Sequence, residues 1–231
     1  MVIAGLQKLT LLDYPGKVAC TVFTGGCNLR CSFCHNAGLV TGDIPFEDGE
    51  EVFRLLEKRR GVLDGVCITG GEPLMQKGIE EFISRIHAEG YCVKLDTNGC
   101  FPDKLEKILK TGNVDYVAMD IKNCREKYPL TVGIDNFNTA PVEKSVEILM
   151  NGNVDFEFRT TVVNELHSLD DMRRIGEWIQ GAKRYFLQQF KDSGELINGF
   201  GLTAPDARQM QKMQKLMQWY VPDTRIRGVE N

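Results

Sequence analysis

Short apolar runs alternate with amphipathic segments along most of this chain. The β-type runs are Val18–Phe23, Gly65–Thr69, Tyr91–Asp96, Tyr116–Asp120, Phe156–Val163 and Tyr185–Phe190. Helical periodicity occupies Asp48–Arg60, Gly78–Glu89, Pro102–Lys110, Val142–Met150 and Leu169–Ile179, and a last helix is expected over Ala204–Tyr220. Near-continuous apolar strands between helices predict a parallel sheet buried on both faces. Six such units joined by right-handed crossovers predict an α/β fold, a partial (β/α)6 TIM-like barrel of parallel strands, with an open doubly wound sheet as the competing arrangement. Residues 1–16 read as a short N-terminal extension with hairpin character. No linker rich in Gly, Ser or Pro interrupts residues 1–231, so a single domain is expected. The longest irregular stretch is Asn123–Thr139, and loops of that length are often functional.

Composition narrows this picture rather than redirecting it. Apolar residues make up 42% and charged residues 26% of 231 residues, an ordinary globular balance. The net charge is −4 with no long run of one sign, which argues against nucleic acid or an anionic membrane surface as partner. No targeting pattern and no apolar run near the ~20 residues of a membrane span is present, so a cytoplasmic protein is expected. In that compartment the eight cysteines read as thiols or metal ligands rather than disulfides.

In a parallel barrel, chemistry gathers where strands end. The first strand is followed by Gly25-Gly26-Cys27-Asn28-Leu29-Arg30-Cys31-Ser32-Phe33-Cys34-His35. Cysteines at C-x-x-x-C-x-x-C spacing can converge on a small volume, and thiolates suit iron–sulfur clusters or zinc. Three ligands on a four-iron cluster leave one iron open for catalysis, by the logic that separates catalytic from structural zinc. Three other readings stay open on spacing alone. Cys31–His35 also fits C-x-x-C-H haem attachment, Cys27, Cys31, Cys34 and His35 could hold structural zinc, and the three could be buried thiols clustered by chance.

The other strand ends carry Gly70-Gly71-Glu72, Asp96-Thr97-Asn98-Gly99, and Asp120 with Lys122. Two glycines leave backbone groups unscreened by side chains, and Glu72 adds charge or fixes the turn. Asp96–Gly99 reads on its own as an Asx-type turn. Asp120 and Lys122 fall on one face of an extended chain. Arg159, inside an apolar strand, requires a partner, either a ligand or a neighbouring strand. Cys20, Cys67 and Cys92 read as core residues, Cys100 and Cys124 as spectators, and His87 and His167 as peripheral. Met210, Met213 and Met217 form a core stripe or a partner face.

The cysteine loop, with Phe33 beside its last cysteine, resembles the signature of the radical S-adenosylmethionine superfamily. Leu12-Asp13-Tyr14-Pro15-Gly16-Lys17 together with Phe33-Cys34-His35-Asn36 further resembles the activating proteins of anaerobic ribonucleoside-triphosphate reductase, a group of glycyl-radical-enzyme activases. The resemblance implies a [4Fe-4S] cluster on Cys27, Cys31 and Cys34, and S-adenosylmethionine held near Phe33, Gly70, Gly71, Glu72, Asp96, Lys122 and Arg159. It also implies a monovalent cation at Asp96 and Asp120. The implied activity is reductive cleavage of S-adenosylmethionine to a 5′-deoxyadenosyl radical that abstracts a glycine Cα hydrogen from a partner enzyme. The electron comes from an external donor such as flavodoxin or ferredoxin, since no second cysteine group has ferredoxin spacing. Radical chemistry on a small molecule, as in a deazaguanine-forming synthase, and a non-catalytic iron–sulfur protein are the alternatives.

Overall fold

The computed structural model describes residues 1–41, 49–192, 194 and 196–229, so the expected helix start at Asp48 lies outside the described residues. Among the described residues eight strands follow one another in sheet order, β1 (Ile3–Thr10), β2 (Ala19–Thr24), β3 (Gly65–Gly70), β4 (Cys92–Thr97), β5 (Tyr116–Asp120), β6 (Asp155–Val162), β7 (Tyr185–Gln189) and β8 (Thr224–Arg227). The expected α/β class is correct, with two strands more than the six anticipated. One is the N-terminal extension, which pairs with β2 in antiparallel register as a hairpin. The other is β8, parallel to β7. The chain forms two compact units, Met1–Asn28, Gly38–Ala118 and Asn153–Asp155 in the first, Leu29–Ala37, Met119–Gly152 and Phe156–Asn231 in the second. No helix among the described residues is long and apolar enough to cross a membrane.

In the first unit β2, β3 and β4 pair in parallel, and Ala19, Cys20, Val22, Val66, Cys67, Ile68, Val93 and Leu95 have essentially no exposure. Burial on both faces explains the unbroken apolar runs. Helix α3 (Ile79–Ala88), which follows the short α1 (Ala37–Thr41) and α2 (Gly49–Lys58), buries Ile79, Phe82, Ile83 and Ile86. That i, i+3, i+4, i+7 stripe contributes about 1.5–3 kcal/mol per side chain. Helix α4 (Pro102–Lys110) starts with a proline in its first turn, where the missing N–H leaves no partner unmet. The β1–β2 turn is self-supporting. The Thr10 hydroxyl accepts from the Leu12 and Asp13 N–H groups, and Thr21 donates to the Asp13 carboxylate at 2.6 Å. Tyr14 is buried beside Ala19, Tyr116 and Cys92.

In the second unit β6, β7 and β8 pair in parallel. Phe156, Phe158, Tyr185 and Leu187 are buried, as are Val142, Val146 and Leu149 of α6 (Ala140–Asn151). Within the stretch expected to be irregular, Tyr128–Val132 is a short helix, α5, closed by Gly133 in the left-handed region. Helix α7 (Leu169–Trp178) opens on a reciprocal capping box between Ser168 and Asp171. Helix α8 (Ala207–Met217) opens on a second, between Asp206 and Gln209, so the last helix starts later than the expected Ala204. Its Met210, Met213 and Met217 are buried, which assigns the methionine stripe to the core. Strand β8 supplies Arg227, whose guanidinium holds the fully buried Glu157 carboxylate of β6 at 2.6 and 3.0 Å and stacks 3.4 Å over Phe186 of β7.

Candidate functional site

The end of β2 and the end of β3 meet through backbone. The Gly71 N–H donates to the Thr24 carbonyl at 2.9 Å and the Glu72 N–H to the Gly26 carbonyl at 2.8 Å. Gly70 has φ +118°, and a Cβ there would overlap the Thr24 backbone; a Cβ on Gly71 would overlap the Gly26 carbonyl oxygen. Only glycine permits this approach, which brings the Gly70-Gly71-Glu72 segment against the loop carrying Cys27.

Glu72 is fully buried and its carboxylate serves the fold. One oxygen accepts from the Leu74 N–H at 3.0 Å and the Thr97 hydroxyl at 2.8 Å; the other accepts from the Asn98 N–H at 2.7 Å. Of the two readings of this residue, fixing the turn matches the geometry. The expected Asx turn follows β4 at Asn98–Cys100, with the Asn98 side-chain oxygen accepting from the Cys100 N–H at 3.0 Å. The Asn98 amide nitrogen lies 2.8 Å from the Asn28 side-chain oxygen and 3.8 Å from the Cys27 sulfur. Asp96 is ion-paired with Lys94, and Lys94 also reaches the Cys67 sulfur at 3.6 Å. Lys94 is not among the candidate site residues expected from the sequence. Its signal is a lysine two positions before an aspartate in an apolar strand, which puts both on one face.

In the second unit the remaining cysteines sit on a tight turn. The Cys34 N–H donates to the Cys31 carbonyl at 3.1 Å, and Cys31 and Phe33 are buried. The turn is anchored on both sides, by the Arg30 N–H on the Val132 carbonyl and by the Asn198 N–H on the Ser32 carbonyl. His35 stacks on Phe190 at 5.9 Å between ring centres, and its burial lowers its basicity.

Asp120, Lys122 and Arg159 are also brought together. Arg159 donates to one Asp120 oxygen at 2.5 Å and Lys122 to the other at 2.9 Å. Burial opposes ionisation of Asp120, but the guanidinium and the ammonium reverse that and hold the carboxyl well below the usual range. Burial likewise opposes the charge on Lys122, and Asp120, aided by Cys31, raises it instead. Arg159 thus has the neighbouring-strand partner that burial demanded. His167 was expected to be peripheral, which is incorrect: it is 3% exposed. One ring nitrogen meets the Val163 N–H at 3.1 Å and the other the Lys122 carbonyl at 2.9 Å, pinning the chain around Lys122. His87 is exposed, as expected of a peripheral residue.

Among the described residues no three His, Cys, Asp or Glu groups are gathered tightly enough for one metal ion. All eight cysteines are thiols outside any disulfide. Three soft donors in eight residues, with a glycine-made approach beside the first, fit an iron–sulfur cluster. Asp96 and Asp120 each carry cations from the protein itself, Lys94 for the one, Arg159 and Lys122 for the other.

The chain is 30% identical over 234 residues to a protein of Methanocaldococcus jannaschii named, provisionally, as a glycyl-radical enzyme activating enzyme, covering 98% of this chain and 96% of that one. It is 30% identical over 174 residues to GTP 3′,8-cyclase of Helicobacter pylori, covering 71% of this chain and 51% of the cyclase. In fold it is similar to the crystal structure of Streptococcus suis SuiB bound to precursor peptide SuiA, with a TM-score of 0.73 at 13% identity over 91% of this chain and 48% of that one. Residues 21–174, two thirds of the chain, with the cysteine loop and the ends of β2 to β6, match the Radical SAM superfamily, and the chain belongs to it.

Proposed function

We propose that this protein is a glycyl-radical-enzyme activase acting in the cytoplasm on anaerobic ribonucleoside-triphosphate reductase, with flavodoxin or ferredoxin as electron donor. The observation that carries the activase reading is the end-to-end match with the Methanocaldococcus protein, set against a match to barely half of the cyclase. The target enzyme is supported by the resemblance of Leu12–Lys17 and Phe33–Asn36 to that activase group.

The superfamily implies a [4Fe-4S] cluster and S-adenosylmethionine, which when bound supply one electron and a 5′-deoxyadenosyl radical. Cys27, Cys31 and Cys34 hold the cluster as thiolates. Gly70 and Gly71 present backbone to the methionine ammonium, with Glu72 keeping that turn in shape through its three hydrogen bonds. Lys122 and Arg159 offer cations to the methionine carboxylate or the ribose. Asp96, buried on β4 beside Lys94, would meet the polar part of the ligand, and Phe33 would exclude water beside Cys34. With both groups bound, the chemistry they supply would move a hydrogen from a glycine Cα of the partner to the 5′ carbon, leaving 5′-deoxyadenosine and a glycyl radical on the partner.

The test is anaerobic reconstitution, reduction and mixing with anaerobic ribonucleotide reductase in the presence of S-adenosylmethionine. A glycyl-radical EPR doublet on the partner is expected, with no doublet and no 5′-deoxyadenosine after Cys27→Ala, Cys31→Ala or Cys34→Ala. Cleavage of S-adenosylmethionine without any doublet on this or another glycyl-radical enzyme would overturn the activase role. Cleavage by a cysteine variant would overturn the site.

A further inference from the structure

We propose that Asn98 is a positioning and tuning residue for the cluster, its side-chain N–H directed at the Cys27 sulfur so as to favour the reduced state. This rests on the proposed ligation of the cluster by Cys27.

The orientation of the Asn98 amide is fixed by its neighbours. Its oxygen must face the Cys100 N–H, which can only donate and lies 3.0 Å away. The NH2 group therefore faces the other way, towards Asn28 and Cys27. One of its hydrogens is taken by the Asn28 side-chain oxygen at 2.8 Å, and the nitrogen stands 3.8 Å from the Cys27 sulfur, within reach of the long, soft hydrogen bond that sulfur accepts. The backbone N–H of Asn98 is held separately by the buried Glu72 carboxylate at 2.7 Å, so the residue is anchored independently of its side chain. Asn98 is 5% exposed, and water competes little for the amide.

An electron entering an iron–sulfur cluster increases the negative charge on its thiolate sulfurs. A donor aimed at one of those sulfurs then stabilises the reduced form more than the oxidised one and raises the potential. The effect also has a mechanical side. Asn98, through Glu72, belongs to the same turn as Gly70 and Gly71, so the cysteine loop and the ligand-facing turn are held in one hydrogen-bonded unit.

The experiment measures the reduction potential of the reconstituted full-length protein by EPR-monitored titration. Asn98→Asp keeps the acceptor for the Cys100 N–H and replaces the donor by a carboxylate; Asn98→Ala removes both. At a fixed solution potential the ratio of reduced to oxidised cluster is expected to fall about tenfold in Asn98→Ala, about 59 mV for one electron, and further in Asn98→Asp. Unchanged potentials in variants that carry a cluster would overturn the proposal. Labelling the wild-type asparagine side chains with 15N provides a measurement that needs no variant. Hyperfine coupling from such a nitrogen in the reduced protein is expected, and its absence would equally overturn the proposal. Wild-type protein that takes up no iron and sulfide would instead overturn the cluster reading, and this inference with it.

Discussion

Glu72 shows how a residue in a ligand-facing motif can be occupied by its own fold. With three donors on a fully buried carboxylate, its neutral isostere cannot serve equally well. Glu72→Gln turns an NH2 group towards at least one of those donors and leaves it unsatisfied. The expected cost is about 2 kcal/mol in a denaturant titration of the metal-free chain, and a loss below about 0.5 kcal/mol would contradict the clamp. His167 makes the second prediction at this scale. Its ring accepts the Val163 N–H only when neutral, and burial depresses its basicity. The unfolded chain therefore binds a proton at higher pH than the folded one, near 6.5. Stability is full above that pH and declines as the pH falls towards the lower folded value. Burial at His35 acts with the same sign. In His167→Gln the fall in unfolding midpoint between pH 6.5 and 5 should be shallower than in the wild type; an identical slope would place the titration elsewhere. Burial of Arg159 and the facing of Asp120 and Lys122 were legible in the sequence, because an extended strand fixes which side chains share a face. Lys94 was legible by the same rule, two positions before Asp96 on one strand, whereas His167 was not, because its partner Lys122 comes from a long-range contact that spacing does not encode.

At the scale of elements, the six central strands declared themselves because strands buried on both faces are apolar throughout. Strand β1 reads only as hairpin character, since Ile3 and Thr10 are buried while its middle is partly exposed. Strand β8 was invisible. Four residues with two arginines, Thr224–Arg227, carry no apolar pattern, and the reason for one of those arginines lies on another strand, in Glu157. Arg227→Met should therefore cost more than an edge residue ordinarily does. It leaves a buried carboxylate without its guanidinium and removes the stacking on Phe186. About 3 kcal/mol is expected from chemical unfolding, at the lower end for a broken buried pair because Arg227 is itself 34% exposed. Arg227→Met with Glu157→Gln should recover a good part of that loss, and no recovery would mean that the pair is not the cause. Helix α5 escaped notice for a related reason: at five residues, with a proline near its start and Gly133 at its end, it is shorter than any periodic signal. The candidate site was legible further than the fold's edges, because all of its residues but Arg159, which lies inside β6, sit at or just after the end of a strand.

For the whole chain, the eight thiols provide a test that needs neither partner nor substrate. Buried thiols stay protonated and unreactive, whereas thiolates and exposed thiols alkylate. Burial pushes Cys20 up to about 12 and Cys124 up to about 11, and Cys67 has no exposure. These three should remain unlabelled by iodoacetamide at neutral pH in the folded protein, whether or not iron is present. Cys92 and Cys100 are partly exposed and lie outside the cysteine loop, so their labelling should not depend on iron. Cys27 and Cys34 are also partly exposed, while Cys31, between them, is 7% exposed and should react more slowly. Anaerobic reconstitution with iron and sulfide should then remove labelling at Cys27, Cys31 and Cys34 and change nothing else. Mass spectrometry of the labelled peptides, with and without iron, reads all eight positions at once. Protection at Cys92 or Cys100, or continued labelling of any loop cysteine at full iron occupancy, would show that the ligand set is not the three thiols of this loop. The pattern is discriminating because the fold, and not the cysteine count, decides which thiols can meet iron: three are sealed in the core, two follow or belong to β4 rather than the loop, and three follow β2, where the turn after β3 closes on the first of them.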